Sequence, residues 1–187
     1  MITLIGLPGS GKSTVGRQLA RRLSAHFVDS DQVIEQRLGC SIREYFEREG
    51  EVAFRDVEQA VLADICANDS SASDLQVLST GGGSVLREAN RLSLKRSGKV
   101  VYLRATPEDL YRRLKHDRNR PLLQTSDPMQ RLRDLYAQRD PLYRETAHFQ
   151  IETGRPSVAS LVNMIVMQLE LSGSVQTQTI SAVAPGQ

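Results

Sequence analysis

Cysteine is scarce in this chain of 187 residues: there are two, Cys40 and Cys66, far apart and without metal-ligand spacing. That excludes a disulfide framework and a thiolate metal cluster. Reduced, structurally passive thiols are the expectation, as in a cytosolic protein. Histidine is as sparse, and His26, His116 and His148 form no ligand pattern. His26 and His148 stand at the starts of expected strands, where an edge or surface place accounts for them. No run of ~18 apolar residues exists, so no helix is expected to span a bilayer. The net charge of +2 is too small to point by itself to nucleic acid or a membrane surface. A basic leader segment is missing too: Met1 runs straight into an apolar stretch, and a cytoplasmic place is expected. No internal repeat is visible.

What remains is the composition of a soluble globular protein, 40% hydrophobic and 25% charged. The length suits one domain with a sizeable core. Its most informative stretch is Gly6-Leu7-Pro8-Gly9-Ser10-Gly11-Lys12-Ser13-Thr14, which fits G-x-x-x-x-G-K-[ST], a phosphate-binding loop between a strand and a helix. Both flanks agree. Ile2–Ile5 is a short apolar run suited to a buried strand, and Val15, Leu19 and Leu23 recur at helical spacing. Glycines let such a loop wrap a polyphosphate and aim its N–H groups inward. Gly9, Ser10, Gly11, Lys12, Ser13 and Thr14 are therefore the candidate nucleotide contacts. The helix opening at Lys12 adds its positive dipole end. Lys12 would neutralise the β- and γ-phosphates, and the Ser13 hydroxyl would ligate Mg²⁺.

Apolar runs alternate with helical stretches. Expected strands are 2–5, Phe27-Val28, Val77-Leu78, Lys99–Leu103 and Phe149–Ile151; expected helices include 51–67, 84–96, 107–116, 128–138 and 156–171. This alternation predicts an α/β fold with a parallel sheet covered on both faces. Residues 1–171 read as one domain, and the Ser/Thr/Gln/Gly-rich tail 172–187 as disordered. The segment 115–127 is basic at its start and bounded by prolines, which suits a lid; a solvated surface loop is the plain alternative.

Further clusters carry chemistry. Asp29 and Asp31 follow the second strand, where α/β sheets bind ligands. One carboxylate can face Mg²⁺ and the other a substrate hydroxyl, although Asp31 would also serve as a helix cap. Gly81-Gly82-Gly83 permit close approach to a ligand, or only a tight turn. The preceding strand ends in Ser79 and Thr80 rather than an aspartate, so Asp29 is the supplier of the metal's carboxylate. Arg55 and Arg139 lie in helical stretches, where a lone arginine is usually solvated.

Taken together, GLPGSGKST, FVDSD (27–31), AFRDVE (53–58), STGGGSV (79–85), RPLL (120–123) and RDPLYRE (139–145) resemble the shikimate kinase family over residues 2–170. The resemblance implies a nucleoside-monophosphate-kinase-like fold. That fold is a five-stranded parallel sheet flanked by helices, with a substrate-binding helical insertion at about 31–60 and a mobile lid. It implies transfer of the γ-phosphate of ATP to the 3-hydroxyl of shikimate, with one Mg²⁺, in the chorismate route to aromatic amino acids. It further implies a monomer that binds no nucleic acid. Under it Lys12 clamps phosphate, Ser13 and Asp29 serve the metal, and Asp31 is a catalytic residue that holds the reacting hydroxyls, either as their base or only to orient them. Arg55 and Arg139 grip the carboxylate, and Gly82 contacts the substrate through its backbone. Arg120 is the lid arginine, and Arg113 packs on adenine. Arg155 lies near the adenine pocket, where the likeness is loose. The arginine fork suits a carboxylate, and an aspartate suits vicinal hydroxyls. Other small-molecule kinases of this fold, acting on gluconate or AMP, would not need Asp31, Arg55, Gly82 and Arg139 together. A nucleotide-binding protein without turnover would not need Asp31 and Arg120.

Overall fold

The computed structural model describes residues 1–68, 75–115 and 127–175. Its centre is strand β1, Ile2–Ile5, buried at every position. β1 pairs in parallel with β3 (Gln76–Ser79) on one side and β4 (Lys99–Arg104) on the other. β2 (His26–Asp29) and β5 (Phe149–Glu152) close the edges, giving a five-stranded parallel sheet in the order β2-β3-β1-β4-β5. All five expected strands are present. The central ones were legible because a parallel sheet is buried on both faces and its strands read as unbroken apolar runs.

The alternation of side chains along each strand feeds two cores. Ile2 and Leu4 of β1, with Val101 and Leu103 of β4, pack under α1 (Lys12–Arg22) and α7 (Val158–Leu171). On the opposite face, Ile5, Val100 and Tyr102 meet Leu62, Leu94, Leu110 and Tyr143. These belong to α3 (Ile42–Asn68), α4 (Glu88–Ser97), α5 (Pro107–Leu114) and α6 (Pro128–Thr146). α2 (Ser30–Leu38) contributes Ile34 to this second core.

The helices depart from expectation at their ends. The helix expected from 51 starts at Ile42 and is kinked at Gly50, whose φ of 82° and ψ of 178° suit only glycine. α4 starts at Glu88 rather than 84, because Gly81–Leu86 forms turns, with Ser84 N–H on Gly81 O and Leu86 N–H on Gly83 O. α6 runs on past Pro141 to Thr146 instead of ending at 138. A proline costs a helix one hydrogen bond. Here the turn is held by Arg144 on Asp140, at 2.6 Å, and by the fully buried Tyr143. The tail does not begin in disorder at Ser172. Ser172 N–H bonds Gln168 O, Gly173 turns left-handed at φ 67°, and Val175 packs back on the core beneath α7. Residues 176–187 lie outside the described residues, as do 116–126 of the expected lid, including Arg120 and His116. His26 and His148 are exposed at the strand starts, as expected, and Cys40 and Cys66 form no disulfide.

Candidate active site

The strand order places three loops side by side. The carboxyl ends of β2, β3 and β1 are neighbours, so Asp29-Ser30-Asp31, Thr80–Gly83 and Gly6–Gly11 share one wall, where open α/β sheets bind ligands. Between them lies a cavity of about 430 Å³ lined by Gly9, Lys12, Ser13, Asp29, Asp31 and Gly82, among others.

The loop after β1 is built as its motif predicts. Gly11 takes φ 95° as the N-cap of α1, a conformation open to glycine at no cost. Lys12 is buried, and its Nζ donates to Gly6 O at 2.8 Å and Leu7 O at 3.0 Å, which holds the ammonium at the loop's mouth. Ser13 Oγ donates to Asp29 Oδ2 at 2.8 Å and lies 3.3 Å from Ser79 Oγ. The cap of α2 is not Asp31 but Asp29, whose Oδ1 accepts from Asp31 N–H at 3.1 Å. Asp29 thus uses one oxygen for the helix and turns the other to Ser13.

The glycine run after β3 is a contact surface, and each residue meets a different partner. A Cβ on Gly81 would stand 2.6 Å from Asp31 Oδ1 and 3.3 Å from Glu58 Oε1; one on Gly82 would stand 2.6 Å from Pro8 Cδ; one on Gly83 would overlap the Arg55 guanidinium. Gly81 N–H donates to the buried Ser30 Oγ at 3.1 Å, and Thr80 is tied to Leu4 O by its N–H and its hydroxyl, each at 3.2 Å. Arg139 Nη1 donates to Gly82 O at 3.1 Å. The structure therefore brings Asp31, Arg55, Gly82 and Arg139 onto one loop.

Three of these contacts involve residues that the motifs alone leave without a role. Glu58 lies inside the AFRDVE motif, and Arg55 Nη1 donates to its Oε2 at 2.7 Å, both side chains largely buried at 12% and 2% exposure. Tyr143 lies inside RDPLYRE, and its hydroxyl donates to Gly82 O at 2.5 Å. Ser30 sits between the two aspartates. Helical spacing was the available signal, since Glu58 is three residues after Arg55 and Tyr143 four after Arg139.

Charge is concentrated here. Burial, then the neighbouring Asp29 and further Glu58 and Glu35, push Asp31 up to about 6, against the pull of Lys12. Burial also raises Glu58, opposed by Arg55 and Arg139.

On the far side of the phosphate loop a second cavity, of about 310 Å³, is lined by Gly11, Arg113, Thr153, Pro156, Val158 and Leu161, among others. Its mixture of apolar side chains and backbone suits a flat base. Arg113 spans both cavities and donates to Thr153 O, to Thr153 Oγ1 at 3.3 Å and to Gly9 O at 3.5 Å. Arg155 is exposed, and its neighbour Pro156 takes the place in the lining.

Ser13 and Asp29 offer a hydroxyl and a carboxylate oxygen, the hard donors that Mg²⁺ takes. No group of three or more His, Cys, Asp or Glu side chains able to hold a metal occurs among the described residues. A cation here would need phosphate oxygens to complete its shell, which is how Mg²⁺ is held with nucleotides.

A phosphate loop on a five-stranded parallel sheet, with Asp29 and Asp31 on the same cavity, defines a P-loop phosphotransferase; Arg55 and Arg139 touch the glycine run but are not among the residues that line the cavity. Comparison with known proteins narrows this. The shikimate kinase family model matches residues 8–170, and the chain belongs to that family. It is 58% identical over 173 residues to the shikimate kinase of Paracidovorax citrulli, covering 92% of this chain and 93% of that one. With the shikimate kinase of Ralstonia nicotianae it shares 54% identity over 174 residues, covering 93% and 89%. Its structure matches that of a shikimate kinase from Acinetobacter baumannii in complex with shikimate, with a TM-score of 0.83, 46% identity and 94% of each chain covered. The protein is thus a phosphotransferase that uses ATP to phosphorylate shikimate, in the biosynthesis of aromatic compounds.

Proposed function

We propose that this site carries out the transfer with the following division of labour. The phosphate loop, Gly9–Thr14, holds the ATP phosphates on its N–H groups and on the amino end of α1. Lys12 supplies the positive charge that the transferring group develops against. Ser13 and Asp29 hold Mg²⁺ with the nucleotide, and the ion, when bound, neutralises charge on the phosphates. Arg113 and the Pro156–Val158 wall receive adenine, with Arg155 at its edge.

On the acceptor side, the segment 31–60 together with α6 forms the shikimate site. Asp31 holds the reacting hydroxyl. Arg55 and Arg139 grip the carboxylate, and the Gly82 backbone supports the ring. Arg120, within the proposed lid at 115–127, meets charge on the transferring phosphoryl group; both rest on the sequence alone. The chain acts as a monomer in the cytoplasm, without nucleic acid. No helix of the described residues is long and apolar enough to cross a membrane.

The observation that carries this reading is the glycine run itself. Asp31, Arg55 and Arg139 come from three separate helices and all converge on Gly81–Gly83. Such convergence is what a small polar anion needs and a folded core does not. A coupled assay of ADP release tests it: release should depend on shikimate, and gluconate or AMP should not replace it. Equal turnover with gluconate would overturn the assignment of these residues.

A further inference from the structure

Gly82 O accepts two hydrogen bonds, one from Arg139 Nη1 at 3.1 Å and one from the Tyr143 hydroxyl at 2.5 Å. Arg139 and Tyr143 are four residues apart on α6 and so lie on the same face of the helix. The tyrosine is fully buried. Its ring stacks on that of Tyr102, with centroids 4.9 Å apart and planes at 29°. Tyr102 comes from β4, and its own hydroxyl donates to Asp140 Oδ1 at 2.8 Å. Asp140 directly follows Arg139. The ring of Tyr143 is therefore clamped between the sheet and the helix, and its hydroxyl has a fixed height. Burial pushes the Tyr143 phenol above its ordinary range, so it remains a donor at every physiological pH.

Arg139 is different. Its Nε is buried and has no hydrogen-bond partner among the described residues. A buried N–H without a protein partner is open to a ligand or a water. In a guanidinium, Nη1 lies away from the edge formed by Nε and Nη2, and that edge matches the two oxygens of a carboxylate. A carbonyl has two lone pairs. With the tyrosine hydroxyl on one, the arginine can reach only the other, and it does so with Nη1.

We propose that Tyr143 is a positioning residue for the acceptor: by holding Gly82 O, its hydroxyl fixes the rotation of Arg139 so that the Nε–Nη2 edge faces the shikimate carboxylate. This rests on the reading of Arg139 as a carboxylate ligand. Without the hydroxyl, the guanidinium is free to turn onto Gly82 O with other nitrogens, and the edge is no longer presented.

The test is Tyr143→Phe, which keeps the stacked ring and removes only the hydroxyl. The KM and Kd for shikimate should rise about 3- to 10-fold, the scale of one buried hydrogen bond. The kcat and the KM for ATP should stay within about twofold, because the contact acts on acceptor binding alone. An analogue in which the shikimate carboxylate is replaced by a hydroxymethyl group should bind the parent and Tyr143→Phe equally. A merely structural role would instead lower the active fraction and kcat, or weaken both acceptors alike; either result overturns the proposal. Arg139→Ala separates it from the reading beneath it. If Arg139→Ala binds shikimate normally, the carboxylate reading falls, and the proposal with it. If Arg139→Ala binds weakly and Tyr143→Phe binds normally, the arginine keeps its role and the tyrosine is no positioning residue.

Discussion

Ser13 Oγ and Asp29 Oδ2 lie 2.8 Å apart, which joins the first turn of α1 to the end of β2. The same carboxylate caps α2 through its other oxygen. Asp29→Asn keeps the cap, since asparagine caps as well as aspartate, but loses the charge. It should fold normally and need more Mg²⁺ for half-maximal rate. Asp31→Asn should leave the Mg²⁺ requirement unchanged and depress kcat. Mg²⁺ titrations of the two variants check this, and a reversed pattern would exchange their roles.

Lys12→Met should lower kcat by roughly 10²- to 10³-fold, the scale of one lost charge-stabilising donor at a reacting centre. Methionine keeps the stem but leaves the buried Gly6 and Leu7 carbonyls without their donor, so the melting temperature should fall modestly while the rate falls far more. Steady-state rates and a thermal melt decide it. Near-normal turnover would remove the central assignment.

Arg55 cannot be removed without exposing its partner. Glu58 is buried beside it at 2.7 Å, and breaking a buried pair from one side costs about 3–5 kcal/mol. Protonation of Glu58, which burial already favours, limits that loss. Arg55→Ala should therefore both melt earlier and use shikimate roughly 10- to 100-fold less well, as expected for a lost charge-assisted bond. Adding Glu58→Gln should restore the melting temperature and leave the shikimate defect. Recovery of both would make Arg55 a structural residue only.

Gly83→Ala tests the cradle without replacing a charged side chain. Its Cβ would occupy the space of the Arg55 guanidinium, which can move aside because it ends a flexible chain. The variant should fold, and the KM for shikimate should rise while the KM for ATP does not. Calorimetry with each ligand separates the two.

Asp140 gives a pH signature. Burial alone would raise its pKa, but hydrogen bonds from Tyr102 and Arg144 outweigh burial and hold it below the ordinary 3.8. A carboxyl held low in the folded state stabilises the fold above its unfolded value, and that stability is lost as pH falls through the lowered one. The melting-temperature gap between the parent and Asp140→Asn should be full at neutral pH and narrow only below 3.8. A gap that is the same at pH 7 and in acid would show that the charge is not what Asp140 contributes.

The parts legible in the sequence were those where local pattern and final environment coincide. β1 and β4 are apolar because both faces are covered, and the phosphate loop is a contiguous string whose geometry is local. The first part of α3 escaped because Arg43-Glu44-Tyr45-Phe46-Glu47-Arg48-Glu49 shows no apolar stripe. It is mostly exposed and carries pairs such as Arg43–Glu47 at 2.9 Å. The end of α6 escaped because Pro141 reads as a stop, and tertiary contacts of Asp140 and Tyr143 carry the helix past it. Glu58 and Tyr143 were visible within motifs but had no assignable role. Glu58 stands one helical turn after Arg55, a spacing that reports the pair, whereas the meaning of Tyr143 lies in Gly82 across the fold, which no linear spacing reports.

Gly82 touches Pro8 on one side and is gripped through its carbonyl by α6 on the other. The phosphate loop and the residues proposed for the acceptor therefore meet at Gly82, on the lining of one cavity. A change of acceptor preference made at Gly82 should therefore need compensating changes around Pro8.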